Sequence, residues 1–365
     1  MFSRRLNWRA HDNAFSQALA KHKPRFDLTA SNPTACGLDI PAEIAVSFNH
    51  PEALRYKPDP RGLETARQAI GLGEHSLLAA STSEAYAWLF KLLCDPEDEV
   101  LVPRPSYPLF EFLWQLECVN VRQYSLRYAE GWWLDFDSLR SAITQRTRAI
   151  LFVHPNNPTG QFLKQPELDQ LTTLCAERRI ALISDEVFAD HPLIDDPSRC
   201  ATLGDNGRCL TFVLGGLSKT VGLPQMKIAW LTASGPGAAE AARALELIAD
   251  TYLSVSTPVQ IAVPQLLRHG SSIRAQIQQR TRANLNRVSR EALRVEGGWY
   301  AILPTPRTRT EDEWVIELLV EHGVLAQPGY FYDFESEGWL VLSLLTPEAD
   351  FEAGLQAINY SFRNS

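Results

Sequence analysis

The stretch Gly216-Leu217-Ser218-Lys219-Thr220-Val221-Gly222-Leu223-Pro224 decides how this chain is read. It follows an apolar run, Leu210–Leu214, with the length and composition of a buried strand, and it sets one lysine in a turn of glycine and hydroxyl residues. Two further turns of this kind lie upstream, each after another such run. Ser184-Asp185-Glu186-Val187-Phe188 follows Ile180–Ile183, and His154-Pro155-Asn156-Asn157-Pro158-Thr159-Gly160 follows Ala149–Val153. Glu99–Val102, Val119–Tyr124 and Ile228–Thr232 complete six candidate strands, with helical patterns at Ser83–Leu93, Gln165–Arg178 and Ala238–Leu253 between them. This alternation predicts an α/β fold, a mostly parallel central sheet with helices on both faces. Ligands of such sheets gather at the carboxyl ends of the strands, where the three polar turns fall.

From about Ser272 the texture changes. An Arg- and Gln-rich helical segment, Ile273–Arg294, leads to GGWYAIL, and a helix is expected around Asp312–His322. Strand-like pieces at Val324–Ala326 and Trp339–Leu344 and a final helix from Phe351 follow. The expected organisation is a large domain over 46–275 and a smaller α+β domain from 1–45 and 276–365, since chain ends commonly lie close together.

Composition excludes several classes. The chain has 365 residues, 45% of them hydrophobic and 21% charged, enough for a substantial globular core. A net charge of −8 argues against a nucleic-acid partner and fits a small-molecule one. The six cysteines form no C-x-x-C pair and no zinc spacing with the eight histidines, so free thiols in a reducing compartment are expected, without a metal. The N-terminal MFSRRLNWRAHDNAF has no apolar stretch of a signal peptide, and no run approaches the ~18 apolar residues of a membrane span. The expected location is cytoplasmic. Gly71-Leu72-Gly73 lacks the third glycine and the preceding strand of a dinucleotide fingerprint.

The three turns, in this order and spacing, resemble the NNPTG, D-E-x-Y and S-K-T-x-G-L-P motifs of class I/II aminotransferases, of the aspartate-aminotransferase fold (fold type I). The likeness runs from Asn32-Pro33 to Pro328-Gly329 and implies pyridoxal 5′-phosphate as cofactor. By that resemblance Lys219 forms the Schiff base and moves protons, and Asp185 partners the pyridinium nitrogen. Asn157 hydrogen-bonds the 3′-oxygen, and Tyr107 stacks on the ring. Ser81, Thr82 and Ser83 form a phosphate-binding turn at a helix start, a position where free N–H groups suit a dianion. Ser218 and Lys227 are further phosphate candidates; lysine at the latter keeps the charge of the usual arginine without its fork. Tyr56 is expected to reach the cofactor of a neighbouring copy, implying a homodimer with shared active sites.

Two positions depart from the pattern. Phe188 stands where relatives have a tyrosine that donates to the 3′-oxygen. Val341 stands where relatives have an arginine that clamps the substrate carboxylate, and no arginine occurs between Arg309 and Arg363. Either the substrate lacks that carboxylate, or a cation such as Arg25 or Arg287 replaces the clamp. The aromatic set Trp299, Tyr300, Tyr330, Phe331 and Tyr332 reads equally as a pocket wall or as core packing. The expected activity is amino transfer between a small donor and a keto or aldehyde acceptor by ping-pong half-reactions. A lyase or decarboxylase on the same fold is the alternative, and a non-catalytic cofactor-binding protein a third.

Overall fold

Residues along Thr147–Val153 alternate between two apolar layers, as a strand buried on both faces requires. Ala149, Leu151 and Val153 pack with Trp88, Leu89, Phe90 and Leu245, from helices Thr82–Leu93 and Ala238–Asp250. Ile150 and Phe152 pack on the opposite side with Leu139, Leu168 and Leu171, from helices Phe136–Ala142 and Gln165–Arg178. In the computed structural model, which describes residues 3, 5, 13–107, 110–288, 290 and 292–365, this strand lies inside an eight-stranded sheet.

Across that sheet the strands run Ser76–Ala79, Ala229–Ser234, Thr211–Gly216, Ala181–Asp185, Thr147–Val153, Glu99–Arg104, Asn120–Tyr128 and Trp132–Leu134. The five from Thr211–Gly216 to Asn120–Tyr128 are mutually parallel. Ala229–Ser234 is antiparallel to both its neighbours, and Trp132–Leu134 is antiparallel to Asn120–Tyr128. The six expected strands are all present. Ser76–Ala79 and Trp132–Leu134 are additions, since runs of four and three residues are too short to show a period.

The C-terminal part carries a three-stranded antiparallel sheet, Tyr300–Pro304, Trp339–Ser343 and Gln327–Pro328. Phe26–Asp27 pairs in parallel with Val324–Leu325, which ties the N-terminal segment to it. One helix departs from the expectation. It spans Thr257–Val288 rather than Ile273–Arg294, so it crosses residue 275, and residues 289 and 291 lie outside the described set. Pro264 and Gly270, both helix-disfavouring, mask its first half in the sequence. Gly270 is needed there because a Cβ would stand 2.6 Å from that of Val221.

Gly160 closes the His154–Gly160 turn at φ +68°, and a Cβ there would meet Val295 Cγ1 at 2.4 Å and the Gly297 carbonyl at 2.6 Å. Gly160→Ala therefore combines left-handed strain with a backbone collision. The expected loss is about 2–4 kcal/mol of stability, read as a lower urea midpoint with unchanged slope.

Candidate active site

Three strand ends converge. Asp185 is the last residue of Ala181–Asp185, fully enclosed, and its carboxylate has two donors. Oδ2 accepts from the Tyr86 hydroxyl at 2.8 Å, and Oδ1 accepts from the Val187 N–H at 3.1 Å. Burial raises the Asp185 pKa, opposed by these two hydrogen bonds and by the Lys219 charge. The phenol of Tyr86 is pushed well above its usual range by burial and by that carboxylate.

Lys219 lies on the short helix Leu217–Thr220, directly after Thr211–Gly216. Its Nζ stands 4.7 Å from the Trp299 ring centroid and 5.4 Å from that of Phe188. Those two rings meet edge-to-face at 5.2 Å. Desolvation in this slot lowers the lysine pKa to about 8, against the pull of Asp185 and Cys36. Behind it, His191 Nε2 lies 2.6 Å from the Lys219 carbonyl and its ring 5.2 Å from Trp299. Burial lowers the His191 pKa to about 4, so the imidazole is neutral, and Nε2 must carry the proton it donates to that carbonyl.

The third turn is fixed from within. Asn156 Nδ2 donates to the Pro105 carbonyl at 3.0 Å and to Thr159 Oγ1 at 2.9 Å. Asn157 beside it has a buried Oδ1 without a hydrogen-bond partner. Opposite, Ser81 caps helix Thr82–Leu93 by accepting from the Glu84 N–H at 3.1 Å. Glu84 in turn accepts from the Ala80 N–H at 2.6 Å and the Ser254 hydroxyl at 2.8 Å. This holds the first turn of the helix at the site.

A cavity of about 350 Å³ joins these groups, with Thr82, Ser83, Asn157, Asp185, Ser218 and Lys219 on its wall. Phe188 and Tyr107 also line it, as does Tyr300 from the aromatic set. Of the same set, Trp299 faces the lysine while Tyr332 is buried against Tyr300. Pro108 of the Pro105–Pro108 stretch lies outside the described residues. Other expected members stand apart. Ser81 is the helix cap rather than part of the wall, since its hydroxyl is turned to Glu84. Lys227 is exposed, at φ +51°, and Tyr56 is 78% exposed outside the cavity.

Both replacement clamps are corrected. Arg287 pairs with Glu348 at 2.9 Å and Glu352 at 3.7 Å, and Arg25 stacks on Phe26 beside Gly323. Neither is on the wall. Val341 is fully buried in an apolar cluster with Trp299, Tyr300, Ile302 and Tyr332 instead of facing the cavity. Sequence reasoning misses Tyr86, Ser31 and the apolar group Phe112, Leu113 and Leu116. For Tyr86 a signal exists: it lies one turn into the helix whose start carries the hydroxyls, on the same face as Ser83. Among the described residues, no three His, Cys, Asp or Glu groups cluster to hold a metal, and no helix is long and apolar enough to cross a membrane.

Comparison with known proteins bears on family and fold. The profile of the family "Aminotransferase class I and II" matches residues 74–358, and the chain belongs to that family. It is 30% identical over 261 residues to the glutamate-pyruvate aminotransferase AlaA of Escherichia coli, across 67% of this chain and 64% of that protein. The chain thus spans just under two thirds of that relative's length. An alanine aminotransferase of Mycobacterium tuberculosis is 27% identical across 91% of this chain and 84% of its own. Alanine aminotransferase from Pyrococcus furiosus superposes with a TM-score of 0.87 at 22% identity, over the whole of both chains, which shows the shared fold-type-I architecture.

The lowered lysine pKa has a direct reading. Reductive methylation of Lys219 in the cofactor-free protein, followed by peptide mass spectrometry, should rise with pH and be half-maximal near pH 8. A midpoint near the ordinary lysine value of ~10.4 would contradict the desolvated slot.

Proposed function

We propose that this member of the class I and II aminotransferases is a pyridoxal 5′-phosphate-dependent aminotransferase. It moves an amino group between a small donor and a keto or aldehyde acceptor in two ping-pong half-reactions. The observation that carries this reading is the convergence on one cavity of a desolvated lysine amine, an enclosed carboxylate and a hydroxyl-rich helix start.

The residues fit that cofactor. Asp185 would hold the proton on the ring nitrogen, because an opposite charge favours its ionised form over the neutral form that burial alone promotes. Tyr86 fixes the carboxylate from the far side. Thr82, Ser83 and Ser218 offer hydroxyls to the phosphate, and first-turn N–H groups of a helix suit an anion. The Asn157 amide, with its unpartnered buried oxygen, suits the polar group at the ring's 3′-position, and Tyr107 suits the ring face. When bound, the cofactor supplies an electron sink for negative charge on the carbon bearing the amine. Lys219 Nζ would hold the cofactor's aldehyde carbon covalently. Once freed, it takes up and returns the proton at the amine-bearing carbon, a role suited to a pKa of about 8. The Phe188–Trp299 edge keeps that amine out of water.

The reading includes a cytoplasmic homodimer, with Ser81 and Lys227 supporting the phosphate turn and Tyr56 of a second copy closing over it. Leu54 and Tyr56 are 92% and 78% exposed within one short segment, and an apolar surface of this kind suits burial against another copy. It also includes the division into 46–275 and 1–45 with 276–365.

Borohydride reduction of the holoenzyme should attach the cofactor to the Lys219 peptide, and Lys219→Ala should abolish that label. Asp185→Asn should retain the cofactor while the half-reaction slows by roughly a hundredfold or more. A label on another lysine, or near-normal turnover in Asp185→Asn, refutes the assignment. Sedimentation should show a dimer, and Tyr56→Phe should weaken cofactor retention severalfold; a fully active monomer would remove Tyr56 from the site.

A further inference from the structure

The charges around the cavity set a limit on what enters it. Among the described residues on its wall, Lys219 is the one cation, and Asp185 is the one carboxylate. The rest of the wall carries no further charge: Ser31, Tyr107 and Tyr300 are polar, while Phe112, Leu113 and Leu116 are apolar. Burial raises the pKa of both Tyr107 and Tyr300, so these phenols stay uncharged donors. Nearby guanidinium groups are turned to other partners, although the buried Arg104 Nε has none. Arg280 donates to the carbonyls of Cys36 and Gly37, and Arg104 pairs with Glu335 at 3.0 Å. Arg5, exposed at the rim, donates to the Leu116 carbonyl at 3.2 Å.

A substrate carboxylate would therefore enter a cavity already holding Asp185 and, on the reading above, a phosphate dianion. Among the described residues of one chain, no wall cation besides Lys219 is available to pair with it, and a carboxylate held away from water without a cation partner is disfavoured. An amine with a neutral body meets no such obstacle. Its apolar part can pack on Phe112, Leu113 and Leu116, and a neutral polar end can reach the Tyr300 or Ser31 hydroxyl.

We propose that the preferred amino donor bears no carboxylate on its amine carbon, and is a primary amine with a neutral, largely apolar body. The proposal rests on the transaminase reading and adds the donor class to it. The step balances without another reactant: R–CH2–NH2 is oxidised to R–CHO, and the cofactor's aldehyde carbon is reduced to an aminomethyl group that receives the nitrogen.

The test compares matched pairs with the holoenzyme: 2-phenylethylamine against L-phenylalanine, and 3-methylbutylamine against L-leucine. Each half-reaction is followed by the loss of the cofactor's aldehyde absorbance and by product analysis. The amine of each pair should react at least about tenfold more efficiently, since the cost of placing a carboxylate without a cation partner falls on the amino acid alone. Faster reaction of the amino acids overturns the donor class and leaves the transaminase reading standing. No conversion of any of the four, with the Lys219 label intact, overturns both. Arg5→Gln provides a second measurement: the amine-to-amino-acid ratio should stay within about twofold, and a tenfold rise would identify Arg5 as a carboxylate partner and defeat the proposal.

Discussion

Asp185 brings a carboxylate to the end of a central strand and buries it there, and the surroundings are arranged around that cost. A buried carboxylate without partners takes up a proton; this one keeps a hydroxyl on one oxygen and a backbone N–H on the other. The Tyr86 hydroxyl comes from a helix that also brings Thr82 and Ser83 to the cavity, so the partner of the acid and the hydroxyl cradle share one rigid body. Trp88, Leu89 and Phe90 anchor that helix to the sheet face carrying Leu151, Val153 and Ile183. Shifting the helix would therefore disturb both ends of the site together.

How much is legible in the sequence follows from the scale of each signal. Strands of five to nine residues and the turns after them are readable, because in an alternating chain a continuous apolar run ending in Asp, Asn or Gly marks a buried strand and the loop that follows it. In the eight-stranded sheet, the two strands without a sequence signal hold three and four residues and owe their form to neighbours. Lys219, Asp185 and Asn157 lie in turns that local pattern exposes, and all three line the cavity. Depth and direction stay dark in the sequence. Val341 reads there as part of a site wall, yet its side chain points into an apolar cluster behind that wall. Phe112, Leu113 and Leu116 read as an ordinary helix face, and Ser31 as part of a loop. Only packing brings residues 80 to 190 positions from Lys219 to the same cavity.

The aromatic set illustrates the same limit from the other side. Tyr300, Trp299 and Tyr332 are close in sequence or in space, yet they do three different things: one lines the cavity, one faces the lysine, and one backs the first. Trp299 precedes the strand that Tyr300 opens, and both rings meet Phe188 edge-to-face, so adjacent aromatics frame the lysine and the cavity from one turn of chain.

The helix Thr257–Val288 runs for 32 residues, about 48 Å. It begins against the segment that holds Gln260 to Leu63, and ends where Asn284 donates to the carbonyls of Leu344 and Thr346. It is thus a shaft with one end seated in each part of the molecule, and its one interior proline is close to the first seat. Helices bend most readily at proline. From Pro264 to Val288 the lever arm is about 36 Å, so a tilt of about 5° at the proline sweeps the far end through about 3 Å. In mechanical terms, a small angular change at Pro264 would become a displacement the size of a methyl group or larger where Asn284 holds the Leu344 and Thr346 carbonyls.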